Sequence, residues 1–236
     1  MLISNYKSGD KVNYYRYDTH VHTAEVSPCG HLSAEQVIEL YKNAGYAGII
    51  ITDHYYAATV DRPGLGWQEA AEYFLSGYRK AAEAGRREGL DVLLGMELRF
   101  DNTNEDYLVF GLDEEFIYEH PYLNRYTLET FRRLTEQEDI LIFQAHPFRK
   151  GLSPSDSRLI DGIEAFNGNP RHDSYNDKAY SYGLSNGLLL LAGSDAHQIV
   201  DIGRCGIGIT DRVHSIQEFV SWIKSGKSID LIHKVT

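Results

Sequence analysis

Short apolar runs alternate with longer segments of helical periodicity along most of the chain. Strands are predicted over residues 17–23, 48–52, 92–100, 107–112, 140–145, 162–166, 188–192 and 206–209. Helices are predicted from the N-cap Ser33 to Gly45 and over residues 67–87, 128–137, 174–184 and 216–224. This alternation is typical of βα units around a parallel sheet, and roughly seven such units favour a barrel over an open sheet.

The composition fits one folded domain. The chain has 236 residues, of which 42% are hydrophobic and 24% are charged, so it can bury one sizeable core and we expect a single domain over residues 1–236. The formal net charge of -11 is spread without long like-charge runs, which argues against a stable complex with nucleic acid. It does not exclude a small phosphate ester, because bound cations would reverse the local field.

Cysteine usage and the lack of long apolar segments indicate a cytoplasmic protein. Only two cysteines occur, Cys29 and Cys205, which is too few for a disulfide-stapled secreted domain. Residues 1–16 do not resemble a targeting sequence, and no run approaches the roughly 18 apolar residues of a membrane span. We therefore expect a cytoplasmic location and no membrane partner.

Polar residues of the metal-ligand type recur at the C-terminal ends of the predicted strands, where barrel enzymes place their active sites. They are His20, His22, Asp53, His54, Glu97, His146, Asp195 and His197. Within the first and last pairs, a two-residue spacing puts both side chains on one face of an extended strand. Of the ten histidines, five fall at the ends of four strands, which random placement would not produce. Imidazole and carboxylate suit zinc, manganese or iron, so the pattern predicts a metal site.

Five short motifs follow one another along most of the chain. They are Asp18-Thr19-His20-Val21-His22-Thr23, Ile51-Thr52-Asp53-His54, Gly95-Met96-Glu97, Ala145-His146-Pro147 and Gly193-Ser194-Asp195-Ala196-His197. Together they resemble the PHP (polymerase and histidinol phosphatase) domain family. The resemblance implies an α/β fold, a distorted (β/α)7, TIM-barrel-like barrel, with two or three divalent ions (Zn, Mn or Fe) at the strand ends. The metal ligands that it implies are His20, His22, His54, Glu97, His146, Asp195 and His197.

Two positions depart from the family's pattern. Many members carry an aspartate ligand in the loop after the first motif, where this chain has Cys29. Glu25 and His31 lie in the same loop and are the alternatives to Cys29 as the replacement ligand. On the added strand, Leu108 stands in place of a histidine, and Asp106, on the same strand face, is the candidate that compensates for it. Whether two or three ions bind stays open for this reason.

Four residues close to these strand ends are candidates for substrate contacts. They are Arg99, Arg149, Asn167 and Arg171. A guanidinium binds phosphate through two parallel hydrogen bonds, whereas a surface salt bridge or a turn position is the alternative explanation for each residue.

The resemblance and the residues predict metal-dependent hydrolysis of a phosphate monoester or diester by a metal-activated water. Asp195 is the candidate proton acceptor, and His197 is a candidate proton donor to the leaving alkoxide. We expect a small phosphorylated substrate, with a nucleotide or short oligonucleotide among the alternatives. Two other functions stay open: hydrolysis of a C–N or carboxylic ester bond, and a non-catalytic, metal-stabilised binding or regulatory module. The physiological substrate, the metal and the oligomeric state do not follow from the sequence.

Overall fold

The computed structural model describes residues 14–233. Residues 1–13 and 234–236 lie outside the described residues. The expectation that residues 1–16 contain no targeting sequence therefore falls mostly on residues that the structure does not describe. The strands are β1 (Tyr15–Val21), β2 (Gly48–Ile51), β3 (His54–Tyr55), β4 (Asp91–Arg99), β5 (Asp106–Phe110), β6 (Leu141–Gln144), β7 (Gly162–Asn167), β8 (Leu189–Gly193), β9 (Cys205–Ile209) and β10 (Asp230–His233). The helices are α1 (Ala34–Asn43), α2 (Ala57–Val60), α3 (Trp67–Glu88), α4 (Glu114–Glu119), α5 (Leu128–Leu134), α6 (Asn176–Ser185) and α7 (Ile216–Lys224). Short 3-10 turns occupy Leu123–Arg125 and Ile199–Asp201.

The strands form a nearly closed barrel, which confirms the predicted α/β barrel class. The hydrogen-bonded order is β10-β9-β1-β2-β4-β5-β6-β7-β8, with β3 paired to β4. The backbone after β8 then returns to β1, where Val21 and Ala196 form a parallel bridge. Two hydrogen bonds hold this junction: Ala196 N–H donates to His20 O at 3.2 Å, and His22 N–H donates to Ala196 O at 3.0 Å. The first and last predicted ligand motifs therefore meet where the barrel closes.

Two strands run against the expected parallel direction. Strand β5 is antiparallel to both β4 and β6, because the short link of residues 100–105 has no room for a crossover helix. Strand β9, predicted as part of a further βα unit, pairs antiparallel with β1 outside the barrel, and β10 pairs antiparallel with β9. The short elements β3, α2 and α4 were not predicted, since they have too few residues to show a periodicity.

Helix α1 shows how a helix is tied to the site. Ser33 caps it through a capping box with Gln36, as its sequence predicts, and the chain leaves the helix through Gly45 at a φ of 74°. From its buried face, Tyr41 donates a hydrogen bond to Asp18 at 2.7 Å. The other oxygen of Asp18 accepts the backbone N–H groups of His20 and Ser194, so one buried carboxylate links α1 to both sides of the barrel junction.

The lower part of the barrel is apolar. Leu108 and Phe143 lie within one buried cluster, and α7 packs Phe219 against Phe110 with ring centroids 5.5 Å apart. This core gives the polar strand ends a rigid base. Within residues 14–233, none of the helices has the length and apolar character needed to cross a membrane.

Candidate metal centre

Two histidines of β1 and the loop that follows it face two carboxylates across the mouth of the barrel. His20 Nε2 lies 3.3 Å from Glu97 Oε1 and 3.5 Å from Asp195 Oδ1. His22 Nε2 lies 3.4 Å from Glu97 Oε2 and 3.4 Å from Asp195 Oδ1. All four side chains are buried. The structure thus gathers four of the expected ligands, from three separate segments, around one small volume.

The other three expected ligands surround this group. His54 Nδ1 lies 2.7 Å from Glu97 Oε2, and His146 Nε2 lies 3.2 Å from Glu97 Oε1. The rings of His197 and His22 stack with centroids 4.2 Å apart. Donor atoms lie within 4.8 Å of one another in three sets: His22, His54 and His197; His20, His22 and Glu97; His54, Glu97 and Asp106.

Unpartnered buried atoms test whether a cation fits here. Among the described residues, the buried atoms without a hydrogen-bond partner include His20 Nε2 and His22 Nε2. Leaving such atoms unsatisfied is unfavourable by about 1–3 kcal/mol each. Lone pairs of imidazole and carboxylate converge at this point, and both are ligands that zinc, manganese and iron accept. The residues present therefore fit divalent metal ions.

The electrostatics of the cluster also suit a cation. Burial raises the pKa of Glu97, but His54 and His20 lower it more, so the pKa is well below its usual range. Burial lowers the pKa of His20, whereas Glu164, Glu97 and Asp195 together raise it well above its usual range. The pKa of His22 is lowered well below its usual value by burial and by the neighbouring His197 and His54. Without a metal ion, protons on some of the imidazoles therefore balance the negative charge of the carboxylates, which a bound cation would otherwise balance.

Glu164, which was not predicted, contacts two of the expected ligands. Its side chain is fully buried, with Oε1 2.9 Å from His20 Nδ1. Its Oε2 accepts the His146 backbone N–H at 2.9 Å and the Asn167 side-chain amide at 2.9 Å. A carboxylate at Nδ1 fixes the tautomer in which Nε2 is free to bind a metal. The sequence signal is an acidic residue inside the otherwise apolar β7.

Asp53, grouped with the strand-end candidates, lies behind the cluster. Its carboxylate accepts hydrogen bonds from the Thr23 backbone, the Thr23 hydroxyl and the Ser27 hydroxyl, each at 2.7 Å. Ser27 Oγ in turn lies 3.1 Å from His22 Nδ1 and accepts the His54 backbone N–H at 3.1 Å. Asp53 and the unpredicted Ser27 thus orient two histidines from outside.

The loop after β1 separates its three candidate ligands. The Cys29 thiol is within hydrogen-bonding reach of His197 and His54; burial raises its pKa, but these two contacts lower it more, to about 6. Glu25 instead accepts the Ala34 backbone N–H at the start of α1, at 3.1 Å, which places it outside the cluster. His31 is exposed and lines the cavity above the site.

The added strand places its two positions differently. Leu108 lies opposite Glu97 in the β4–β5 register and is fully buried, so an apolar side chain occupies the position where the family pattern has a histidine. Asp106 Oδ2 approaches His146 Nε2 at 3.8 Å. Both oxygens of Asp106 are already held by Arg99, at 2.7 and 2.8 Å. The guanidinium of Arg99, a candidate for phosphate binding, therefore neutralises the carboxylate of Asp106, a candidate metal ligand.

A cavity of about 320 Å³ opens above the cluster. Arg149 lines it and donates to Asp195 Oδ2 at 2.8 Å and to Asn167 Oδ1 at 3.1 Å. Arg171 also lines it, with both terminal nitrogens held by the buried Asp201 at 2.6 and 2.9 Å. Asn167 lies behind this surface, whereas Asn169, which was not predicted, lines the cavity.

Two of the expected ligands have unusual backbone conformations. His146 has a φ of 28° and Asp195 a φ of 49°, in the left-handed region that side chains other than glycine rarely adopt. The surroundings hold both: Glu164 accepts the His146 N–H, and Asn169 donates to the Asp195 carbonyl at 3.2 Å. Strain of this kind is concentrated at functional sites.

Several solved structures have a similar fold. The fold is similar to PsfC from Pseudomonas syringae, with a TM-score of 0.70 and 18% identity over 94% of this chain and 93% of that chain. A two-domain protein from Bacteroides vulgatus that contains a predicted PHP-like metal-dependent phosphoesterase has a TM-score of 0.61 and 16% identity, over 90% of this chain and 62% of that chain. An amidohydrolase from Chromobacterium violaceum has a TM-score of 0.55 and 15% identity, over 88% and 96%.

No curated protein sequence matches the chain. The family model of the PHP domain matches residues 18–225, a range that includes every residue of the cluster. The match and the cluster together support a metal-dependent hydrolase. Because the matched range spans most of the sequence, the chain belongs to the PHP domain family.

Proposed function

We propose that this chain hydrolyses phosphate esters with divalent cations held at the mouth of the barrel. The observation that carries the proposal is the pair of unpartnered buried nitrogens on His20 and His22, which face the carboxylates of Glu97 and Asp195. Buried ionised groups are stable only when they are paired or coordinate a metal, and the converging lone pairs favour the metal. The proposed ligands are His20, His22, His54, Glu97, His146, Asp195 and His197.

Glu97 is the proposed bridge between cation positions. Its Oε1 faces His20 and His146, and its Oε2 faces His22 and His54. When bound, divalent cations would neutralise phosphate charge and lower the pKa of a water molecule in the site. No serine or cysteine nucleophile is needed for this chemistry.

Asp195 is the proposed ligand that also accepts a proton. Its Oδ1 faces His20 and His22, while Oδ2 accepts a hydrogen bond from Arg149. Burial raises its pKa, but His20, His22 and Arg149 hold it well below the usual range. The carboxylate is therefore ionised but weakly basic, so ligation is its main role and proton acceptance at Oδ2 a secondary one. An Asp195→Asn variant with full metal content and full activity would exclude the second role.

His197 has two predicted roles, metal ligand and proton donor, and its Nε2 atom cannot serve both at once. Its Nδ1 lies 2.8 Å from the Asp195 carbonyl oxygen, so that nitrogen carries the proton and donates it. The remaining Nε2 either binds a cation or carries a proton for the leaving alkoxide. Since His197 stacks on His22 within the cluster, we propose the ligand role, and water in the cavity as the proton source.

Arg149 is the proposed contact for the phosphate group. It lines the cavity, and its buried Nε has no hydrogen-bond acceptor among residues 14–233. A phosphate oxygen supplies such an acceptor. Asn169 also lines the cavity and offers an amide there. Arg99 and Arg171 also line the cavity, but their guanidinium groups are paired with Asp106 and Asp201, so neither is the proposed main phosphate contact.

A substrate panel tests the proposal. Protein loaded with zinc or manganese is assayed against an aryl phosphate, a bis-aryl phosphodiester, an amide and a lactone. Turnover of the phosphates alone supports the proposal. Turnover of the amide or lactone alone favours the C–N or carboxylic ester hydrolase, and metal binding without any turnover favours the binding module.

The proposed substrate is a small phosphorylated molecule, because the cavity of about 320 Å³ matches the smaller ligand sites of proteins. A cytoplasmic location is also proposed. It is supported by the cysteine usage, because the two cysteines, Cys29 and Cys205, form no disulfide.

A further inference from the structure

The loop over residues 23–33 is folded back onto the histidine cluster by backbone hydrogen bonds. Ala24 N–H donates to Leu32 O at 2.8 Å, which closes the base of the loop. His31 N–H donates to His197 O at 2.8 Å, which ties the loop to the segment after β8. At Gly30 a Cβ would lie 2.7 Å from the Thr23 carbonyl oxygen, so a glycine is needed for this close return. The residue next to that glycine, Cys29, is thereby held at a set place.

That place is beside two histidines of the cluster. The Cys29 thiol is within hydrogen-bonding reach of both His54 and His197. These histidines and His22 have donor atoms within 4.8 Å of one another. His22 Nε2 is fully buried and has no hydrogen-bond partner among the described residues. Cys29, His54 and His197 also line the same cavity, so the thiol and these two imidazoles face one space.

The donors differ between the two sides of the centre. On one side His20 and His22 face the carboxylates of Glu97 and Asp195. On the other side, His54 contacts Glu97 as well, but His54 and His197 are both within hydrogen-bonding reach of a sulfur atom. Glu25, the other acidic candidate of this loop, is bound to the start of α1 and offers no carboxylate there.

We propose that Cys29 is a thiolate ligand of a cation that His54 and His197 also hold. The inference rests on the proposed metal centre and deepens it, because a sulfur donor selects the metal. Thiolate and imidazole together suit zinc, whereas manganese and magnesium prefer oxygen donors. The centre then has one carboxylate-lined position and one sulfur-containing position that takes a zinc-like ion.

Cobalt(II) titration of the metal-free full-length chain tests this assignment, because cobalt occupies zinc sites and reports its ligands in the absorption spectrum. Wild type is expected to show visible d–d bands together with an intense near-ultraviolet sulfur-to-cobalt charge-transfer band. Cys29→Ser is expected to lose the charge-transfer band and keep d–d bands from the carboxylate-lined position. The affinity of this variant for zinc at the Cys29 position is expected to fall by more than the roughly 10–100-fold that removal of a partner of a metal ligand causes.

Cys205 provides the matched control. It is the other cysteine of the chain and lies buried in β9. Cys205→Ala is expected to keep the charge-transfer band, and Cys29→Asp is expected to restore the ion count without the band and with a stronger preference for manganese.

Three outcomes overturn the inference, and they are distinguishable. Cobalt that binds wild type with d–d bands but no charge-transfer band, or a band that survives in Cys29→Ser, overturns the role of Cys29 alone. No cobalt binding at all overturns the metal centre, and the proposed function with it.

Discussion

Glu164 is the position at which one substitution most sharply tests how the barrel orients its ligands. Its buried carboxylate accepts hydrogen bonds on both oxygens, from His20 Nδ1 on one side and from the His146 backbone and the Asn167 amide on the other, each at 2.9 Å. Glu164→Gln keeps the shape but turns one acceptor into an NH2 donor. If that donor faces His20, the imidazole has to carry its proton on Nε2, the atom proposed to bind metal. If it faces His146, two donors lose their acceptor.

The expected loss can be sized from such supporting contacts. Removing the partner of a ligating histidine weakens metal binding by roughly 10–100-fold, which is about 1.4–2.7 kcal/mol. Competition with a chromophoric zinc chelator measures the affinity. Glu83→Gln, on the exposed face of α3 beside Arg87, is the matched control and is expected to bind zinc like wild type. Equal zinc affinity in the two variants would refute the supporting role of Glu164.

Three further predictions concern packing, charge and substrate. Gly193→Ala would place a Cβ 2.4 Å from the His20 Cβ, and overpacking of this kind lowers the free energy of unfolding, measured in urea, by about 1–3 kcal/mol. Gly66→Ala is the control, because the nearest atom to its added Cβ lies 3.8 Å away, and it should unfold like wild type. Equal stability of the two variants would contradict the packing argument. Burial lowers the pKa of His20, but the neighbouring carboxylates raise it by more than burial lowers it, so His20 is protonated at neutral pH when no metal is bound. Zinc has to displace that proton, hence affinity should rise as pH increases; calorimetry in buffers of different ionisation enthalpy measures the release, and equal heats in all buffers contradict it. Arg149→Met removes a charge-assisted hydrogen bond worth about 1.5–3 kcal/mol, so kcat/KM for an aryl phosphate, measured at saturating metal, should fall roughly 10–150-fold; an unchanged kcat/KM excludes the phosphate contact.

Much of the candidate site could be predicted because its ligands combine a residue type with a local position. His20 and His22 show the two-residue spacing that an extended strand turns to one side, and Asp195 and His197 show it again near the end of the chain. Parallel strands bring their C-terminal ends to one mouth of a barrel, so residues distant in sequence were expected together. The structure places His20 and His22 within 3.4 Å of Glu97, with Asp195 3.5 Å from His20 and the ring of His197 stacked on that of His22.

The remainder depends on contacts between segments that no local pattern records. Arg99 was a candidate for phosphate and Asp106 a candidate for metal, and nothing in either strand signals that they hold each other. The reversal of β5 follows from a loop length that is only known once both strand ends are known. Glu164 and Asn169 act through partners far along the chain, which is why they were missed.

The central claim is that the cluster around Glu97 binds divalent metal ions and uses them to hydrolyse a phosphate ester. The most direct test is elemental analysis of protein purified without added metal, combined with an aryl phosphate assay before chelation, after chelation and after reloading. The account predicts two or three transition-metal ions per chain, with activity lost on chelation and restored by zinc or manganese. Protein that holds no ions and shows no turnover after reloading would contradict it.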